Sequence, residues 1–243
     1  MILPMNRLKI GILAYNFAHK KTQEGILRLF LEGYKIECIL AQNKLQLNIP
    51  ESKVRIAPKD ISYIHPKKIA KRLNIPYYTL LHNSEKCEKI IKDYKLDIGV
   101  ILGARILKKN IINAFKIGVI NLHPGILPEN RGLDNIKWAI IKNFKQGATA
   151  HLISEEIDKG KLIIQEEVNV FEDDSLLDLH LRVQSKELDL LVKALKILES
   201  GKRDFKALSY GNYFKALPPD IEMGLLKKFD KYKKNEKRIG SRI

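Results

Sequence analysis

The first half of the chain alternates short apolar runs with amphipathic stretches. The apolar runs predict buried strands at 8–15, 35–41, 75–78, 97–102 and 118–121. The stretches between them predict helices over 22–33, 66–73 and 84–94. Ile26, Leu27 and Phe30 should face inward, and Ser84 should cap the third helix. Strands alternating with helices predict an α/β fold, a doubly wound and mainly parallel sheet covered on both faces.

The second half continues the pattern with longer elements. It predicts a helix over 133–143, strands at 148–153 and 161–170, and a long helix from Ser175 to about Ser200. Gly201 should end that helix. Residues 1–201 are therefore expected to form the main domain. Residues 202–243 are too few for a second full domain and are expected to form a short appendage.

The stretch between Asn121 and Gly160 holds the residues with the clearest chemistry. Asn121 and His123 are two residues apart, so at the end of an extended segment they share one face, and Pro124 keeps them out of a helix. An Asn amide and a protonated imidazole can both donate to an oxyanion. Asp158 can orient the imidazole and relay a proton. Together these three side chains indicate acyl transfer to an amine through a tetrahedral oxyanion.

The surrounding motifs resemble those of the folate-dependent formyltransferases. The family patterns Asn-x-His-Pro, Leu-Pro-x-x-Arg-Gly and Gly-x-Thr-x-His followed by Asp-x-Gly stand at 121–124, 127–132, 147–151 and 158–160. Weaker similarity extends to 103–107 and 182–184, so the resemblance covers about 200 residues in architecture and is sharp over about 60. It implies a Rossmann-like catalytic domain, with a short β-hairpin in the C-terminal appendage.

The resemblance also implies the cofactor, N10-formyltetrahydrofolate, and the residues around it. Catalysis falls to Asn121, His123 and Asp158. The pterin pocket, in which backbone groups supply most hydrogen bonds, matches two segments: Arg105, Ile106 and Leu107, and Glu155, Glu156 and Ile157. No metal is expected, because the six histidines lack a metal-binding spacing.

Other polar residues leave alternatives open. Thr149 and His151 can serve the site or simply fill a strand, and Asp158 alone could be a turn residue. The histidines that match no motif are interpreted as surface or core residues: His19, His65, His82 and His180.

The composition indicates the kind of protein and the cellular compartment to expect. Of the 243 residues, 45% are hydrophobic, as in an ordinary globular protein. Cys38 and Cys87 have no metal-ligand spacing and are expected to be buried thiols in a reducing compartment. No apolar run approaches the roughly 20 residues of a membrane span. The N-terminus does not resemble a signal peptide, so we expect a cytoplasmic protein without a membrane partner.

The formal net charge of +16 has two interpretations. From Lys227 to Arg242, eight basic residues face two acidic ones, and this run is expected to be solvated and weakly ordered. The other lysines fit the outer faces of helices. A solvated surface is the simpler interpretation, whereas a nucleic-acid contact is the alternative. We expect no nucleic-acid partner, and a homodimer is left open.

Three features narrow the acceptor that the resemblance leaves undefined. The segment after the first strand, 14–19, lacks the glycines with which glycinamide ribonucleotide formyltransferases hold phosphate. The chain is expected to be too short for the C-terminal barrel of methionyl-tRNA formyltransferases. Residues 131–140 and 209–214 resemble the sugar-nucleotide N-formyltransferases.

The sequence therefore predicts an enzyme that formylates a nucleotide-linked amino sugar for surface polysaccharide. The best single candidate is dTDP-4-amino-4,6-dideoxyglucose. Arg131, Asp134 and Trp138 are predicted to shape the acceptor side, or alternatively to be a helix start and a packed aromatic. The other hypotheses are a truncated methionyl-tRNA formyltransferase and a non-catalytic binder of folate or nucleotide.

Overall fold

The computed structural model describes residues 8–45, 52–54 and 60–234. The strands are β1 (Ile10–Tyr15), β2 (Ile36–Gln42), β3 (Tyr77–Thr79), β4 (Ile98–Ile101), β5 (Gly118–His123), β6 (Arg131–Gly132), β7 (Gly147–Leu152), β8 (Lys161–Glu167) and β9 (Tyr213–Phe214). The helices are α1 (Lys20–Leu31), α2 (Pro66–Arg72), α3 (Glu85–Asp93), α4 (Lys109–Ala114), α5 (Asn135–Lys142), α6 (Leu176–Glu199), α7 (Pro219–Glu222) and α8 (Leu225–Lys233).

Seven strands form one central sheet in the order β3-β2-β1-β4-β5-β7-β8. The five strands from β3 to β5 are parallel, whereas β7 and β8 are antiparallel to their neighbours. The chain reverses direction across the sheet at β1, which lies between β2 and β4. Open α/β sheets bind ligands beside such a switch point, outside the carboxyl ends of the strands. The predicted doubly wound, mainly parallel α/β fold is confirmed.

Helices cover both faces because strand residues alternate between two hydrophobic cores. In β1, Ile10 and Ile12 pack with α1, α2 and α6 on one face, and Leu13 packs with α3 and α4 on the other. A third core joins α5, the start of α6 and α8. In β5, Val119 faces α4 and Ile120 faces α6. The side chains of residues 121 and 123 therefore continue on the α4 face.

Local chemistry explains where the predicted helices begin. The Ser84 hydroxyl accepts the Cys87 N–H at 3.3 Å, and Ser175 forms a reciprocal capping box with Asp178. Gly201, at φ +85°, follows α6 in a left-handed conformation that suits glycine. Cys38 and Cys87 are both buried thiols, as predicted, and burial raises the pKa of each to about 12.

The C-terminal segment differs from the prediction. β9 pairs in parallel with β6, about 80 residues upstream, so the segment contains no β-hairpin with β9 as an arm. The basic run is not weakly ordered up to Lys234, because α8 packs into the third core through Leu225, Phe229 and Tyr232. These three apolar residues recur at helical spacing among the lysines. Residues 235–243 lie outside the described residues.

Two smaller predictions are also corrected. Phe30 does not face inward but is 50% exposed, while Ile26 takes the buried position on α1. The strand predicted at 118–121 extends two residues further, to His123, before Pro124 ends it. The domain boundary at residue 201 stays a prediction.

Candidate active site

The register between β5 and β7 brings polar side chains together at the end of the sheet. The two strands are antiparallel, with Asn121 opposite His151 and His123 opposite Thr149. The four residues lie close in space, although up to 30 positions separate them in the sequence. The Thr149 hydroxyl donates to the Gly125 carbonyl at 2.7 Å and accepts the Leu127 N–H at 3.3 Å. Thr149 thus supports the loop that follows β5.

Asp158 completes the cluster from the loop between β7 and β8. Its backbone is left-handed, with φ +53°, and its side chain is buried. One carboxylate oxygen, Oδ2, accepts the Gly132 N–H at 2.9 Å. The other, Oδ1, lies 3.5 Å from His123 Nδ1 and 3.8 Å from His151 Nε2. The carboxylate therefore lies between two imidazoles.

The hydrogen bonds of His123 define its orientation. Its Nε2 lies 2.7 Å from the Asn130 carbonyl oxygen, which can only accept, so Nε2 carries a hydrogen. Nδ1 then faces Asp158. Since 3.5 Å is longer than a normal N–H···O hydrogen bond, a hydrogen on Nδ1 does not form a normal hydrogen bond with the carboxylate. It remains within reach of a substrate atom.

His151 supports Asn121. Burial and the charge of His123 lower the pKa of His151 to about 4, so this ring is neutral at neutral pH. Its Nε2 lies 3.2 Å from the Asn121 amide nitrogen and can accept one of the two amide hydrogens. The second amide hydrogen is left for a ligand. His151, which the sequence left open, is thus placed against Asn121.

These side chains line one end of a cavity of about 440 Å³ outside the carboxyl ends of β4 and β5. That volume is within the usual range for small-molecule sites. The wall includes every predicted catalytic and cofactor-binding residue, together with Asp134: Asn121, His123, Asp158, Arg105, Ile106, Leu107, Glu155, Glu156 and Ile157.

The two segments that were predicted to bind the cofactor both line the cavity. Ala104 and Ile106 belong to the first segment, and Ile153 and Ile157 belong to the second. The first segment is held by Asn83, a residue that the sequence did not single out. Its amide donates to the Ile106 carbonyl at 2.9 Å and accepts the Lys108 N–H at 2.8 Å.

Both segments carry charged residues. Glu155 pairs with Lys109 at 3.3 Å, and Glu156 pairs with Lys159. Arg105, in the first segment, is exposed and also lines the cavity. The lining therefore combines charged groups of both signs with apolar side chains.

Two of the three predicted acceptor residues lie outside the cavity wall. Arg131 is buried and donates to the backbone carbonyls of Ile157 and Gly211. Trp138 donates to the Lys215 carbonyl at 2.8 Å and stacks on Phe214 with ring centroids 4.8 Å apart. Only Asp134 lines the cavity, and its carboxylate also accepts the Leu217 N–H at 2.8 Å.

Two of the remaining histidines have structural contacts. His82 is buried and lies 2.9 Å from the Leu40 carbonyl, and His65 caps α2 by accepting the Lys67 N–H. Among the described residues, no group of three or more His, Cys, Asp or Glu side chains is arranged to hold a metal ion. No helix in the same described ranges is long and apolar enough to span a membrane.

Similarity to known proteins identifies the family of this chain. Residues 42–195 match the formyl transferase family, and the chain belongs to that family. This confirms the resemblance inferred from the motifs at the level of the family.

Relatives within the family carry different names. A methionyl-tRNA formyltransferase of Fusobacterium nucleatum is 32% identical over 176 residues, which are 69% of this chain and 54% of the relative. The chain spans about half the length of the curated relatives it matches.

Solved structures agree in fold. Glycinamide ribonucleotide transformylase 1 of Symbiobacterium toebii has a TM-score of 0.63 and 20% identity, covering 85% of this chain and 96% of that one. A sugar N-formyltransferase of a Shewanella species has a TM-score of 0.58 and 24% identity, covering 86% and 77%. At these identities the likeness concerns the fold, so the acceptor is not decided by it.

Proposed function

We propose that this protein transfers a formyl group from N10-formyltetrahydrofolate to the amine of a nucleotide-linked amino-dideoxy sugar in the cytoplasm. The observation that carries the transfer reaction is the convergence of Asn121, His123 and Asp158 in the lining of one cavity. A binding site alone would not require a carboxylate between two buried imidazoles.

The cavity suits a flat, partly polar ring system. Apolar residues of both segments line it, among them Ala104, Ile106, Ile153 and Ile157. Apolar walls of this kind can sandwich a heteroaromatic ring while backbone carbonyls and N–H groups satisfy its polar edge. When bound, N10-formyltetrahydrofolate supplies the formyl carbon, which would lie toward the candidate catalytic residues.

The three side chains have separate tasks. The free amide hydrogen of Asn121 donates to the formyl oxygen as negative charge develops there. His151 keeps that amide oriented. Asp158 would accept the proton that the attacking amine loses. His123, held by the Asn130 carbonyl, would pass a proton from Nδ1 to the N10 nitrogen as the bond between that nitrogen and the formyl carbon breaks and tetrahydrofolate leaves.

The choice of an amino-sugar acceptor rests on two segments that resemble the sugar-nucleotide branch. Residues 131–140 and 209–214 are distant in sequence but form one unit, since β6 pairs with β9 and Trp138 stacks on Phe214. This unit borders the cavity at Gly132 and Asp134. Because the two segments pack together, we treat them as one part of the proposed acceptor site.

Formylation of methionyl-tRNA is the second candidate. It is favoured by the 32% identity to a methionyl-tRNA formyltransferase and by the net charge of +16, which would attract RNA phosphates. The lysines of α8 would then be available for such a contact.

A direct test measures both acceptors with one preparation of the full chain. Purified protein and N10-formyltetrahydrofolate are incubated with a panel of dTDP- and UDP-linked amino sugars, and separately with methionyl-tRNA. Products are followed by mass spectrometry, with Asp158→Asn as the control that should abolish either activity. We expect formylated amino sugar. Formyl-methionyl-tRNA with no sugar product would overturn the proposed acceptor while keeping the reaction.

A further inference from the structure

The guanidinium of Arg131 is buried and hydrogen-bonds to backbone carbonyls. Arg131 is 6% exposed and forms no ion pair with a carboxylate of the described residues. Its Nε is buried without a hydrogen-bond partner in the same part of the chain. Burying a charge costs free energy unless hydrogen bonds compensate it. The two hydrogen bonds that the guanidinium does make therefore indicate its role.

Both contacts are with segments that surround Asp158. The guanidinium donates to the carbonyl of Ile157, which belongs to the peptide group leading into Asp158. It also donates at 3.1 Å to the carbonyl of Gly211, in the segment that leads into β9. The neighbouring residue, Gly132, donates its N–H to the Asp158 carboxylate at 2.9 Å. Residues 131 and 132 thus hold both the backbone and the carboxylate of Asp158.

The backbone at this point needs external support. Asp158 has φ +53°, a left-handed conformation that a residue other than glycine adopts at a cost. Such conformations persist where surrounding contacts fix them. Gly132, at φ +101°, packs so closely on Phe214 that an added Cβ would lie 2.0 Å from the Phe214 carbonyl oxygen. The support for Asp158 is therefore a close-packed junction of three segments.

We propose that Arg131 is a positioning residue that acts through Asp158, rather than a residue that contacts the acceptor. The expected effect on turnover rests on the proposed function, whereas the positioning of Asp158 by Arg131 does not. Arg131 joins the loop of Asp158 to the segment before β9, so that the carboxylate stays beside His123 Nδ1. The two-point hold requires the fork of a guanidinium, which presents donors in fixed directions.

The test uses two substitutions and a spectroscopic reporter of the Asp158–His123 contact. Arg131→Met keeps much of the length and apolar volume but removes the donors, and Arg131→Lys keeps a charge that can reach one carbonyl. The reporter is the His123 imidazole nitrogen resonance, assigned by its loss in His123→Asn. Arg182→Met, which breaks a half-buried ion pair with Asp174 elsewhere, is the control.

In Arg131→Met, we expect the His123 resonance to move toward its position in Asp158→Asn. We also expect turnover to fall about 10²-fold, the size expected when a catalytic group is misplaced by about 1 Å. Arg131→Lys should give an intermediate resonance and partial rescue of turnover. Arg182→Met should leave both unchanged.

Two outcomes would overturn the proposal. One is a wild-type His123 resonance in both folded Arg131 variants, whatever their turnover. The other is a resonance displaced as much in Arg182→Met as in Arg131→Met, which would indicate a general loss of packing. If the wild-type protein transfers no formyl group, the proposed function fails, whereas the resonance still decides the role of Arg131.

Discussion

Two cavities lie at opposite ends of the central sheet, and the larger of the two lacks a cluster of buried polar groups. The cavity at the carboxyl ends of β4 and β5 has a volume of about 440 Å³, and the one at the amino ends of β1, β4 and β5 about 590 Å³. In the second, the Asp97 carboxylate already accepts both the Lys9 N–H and the Lys116 ammonium at 2.8 Å. Its charged groups are partnered at the surface. In the first, buried groups converge and leave an amide hydrogen of Asn121 and the Nδ1 edge of His123 for a ligand.

Convergence of buried polar groups, rather than volume, therefore distinguishes the candidate active site. Loops leave the sheet together at the carboxyl ends of parallel strands, so several segments can place side chains around one point. Substitutions should accordingly change formyl transfer strongly in the first cavity and little in the second.

Asp158→Asn should cause the greatest loss. The substitution keeps size and polarity but removes the charge that faces His123 Nδ1 and that we propose as the acceptor of the amine proton. We expect turnover to fall roughly 10³-fold or more, as when a carboxylate beside a catalytic imidazole is neutralised. Folate binding, measured by calorimetry, should persist. A variant that keeps most of its activity would make Asp158 a turn residue.

Asn121→Ala should rank second. It removes the amide that donates to the formyl oxygen, and losing one such donor usually costs about 10²–10³-fold in turnover. Steady-state kinetics with saturating cofactor would measure the effect. Circular dichroism should show an intact fold, and unchanged turnover in the folded variant would exclude the oxyanion role.

His151→Leu should have a smaller effect on turnover than Asn121→Ala, because Asn121 remains but loses the partner that orients it. The rate should fall on the order of tenfold, as expected for a misoriented donor. Kinetics on both variants under the same conditions gives the comparison. If His151→Leu equals or exceeds Asn121→Ala, His151 has a more direct role.

The same substitution should change the pH dependence of stability. Burial and the charge of His123 lower the pKa of His151 from 6.5 to about 4, so the unfolded chain binds a proton that the folded chain does not. The free energy of unfolding should therefore be highest above pH 6.5 and fall as the pH drops toward 4. His151→Leu should reduce that slope in urea unfolding at several pH values. An unchanged slope would contradict a neutral, buried His151.

Lys116→Ala, in the larger cavity, should have the smallest effect. Its pair with Asp97 is exposed on the lysine side, and such pairs contribute about 1 kcal/mol or less to stability. Formyl transfer should stay at the wild-type rate and unfolding should change little. A strong loss of transfer would mean that the second cavity communicates with the first.

Much of the fold and the cavity could be predicted from the sequence, because local patterns carry that information. Apolar runs, the Ser84 and Ser175 caps and the two-residue spacing of Asn121 and His123 are all short-range features. All six residues predicted to bind the cofactor line the cavity. Their role in binding stays a prediction.

The rest depends on contacts between distant segments. Nothing near Asn83 indicates that it holds residues 106 and 108, and nothing near Tyr213 indicates parallel pairing with Arg131. The sequence also could not distinguish an arginine that faces a ligand from one that holds a loop. Arg131 belongs to a recognisable motif in either case, and only its buried contacts with Ile157 and Gly211 separate the two.

We propose that the cavity at the carboxyl ends of the strands transfers a formyl group instead of only binding folate. This can be tested by following an isotope-labelled formyl group from N10-formyltetrahydrofolate in the presence of the amine panel and the wild-type chain. The label should appear on the nitrogen of one acceptor, whereas Asp158→Asn should bind the cofactor but leave the label on it. If the wild-type protein binds the cofactor and transfers the label to no amine, the cavity only binds folate.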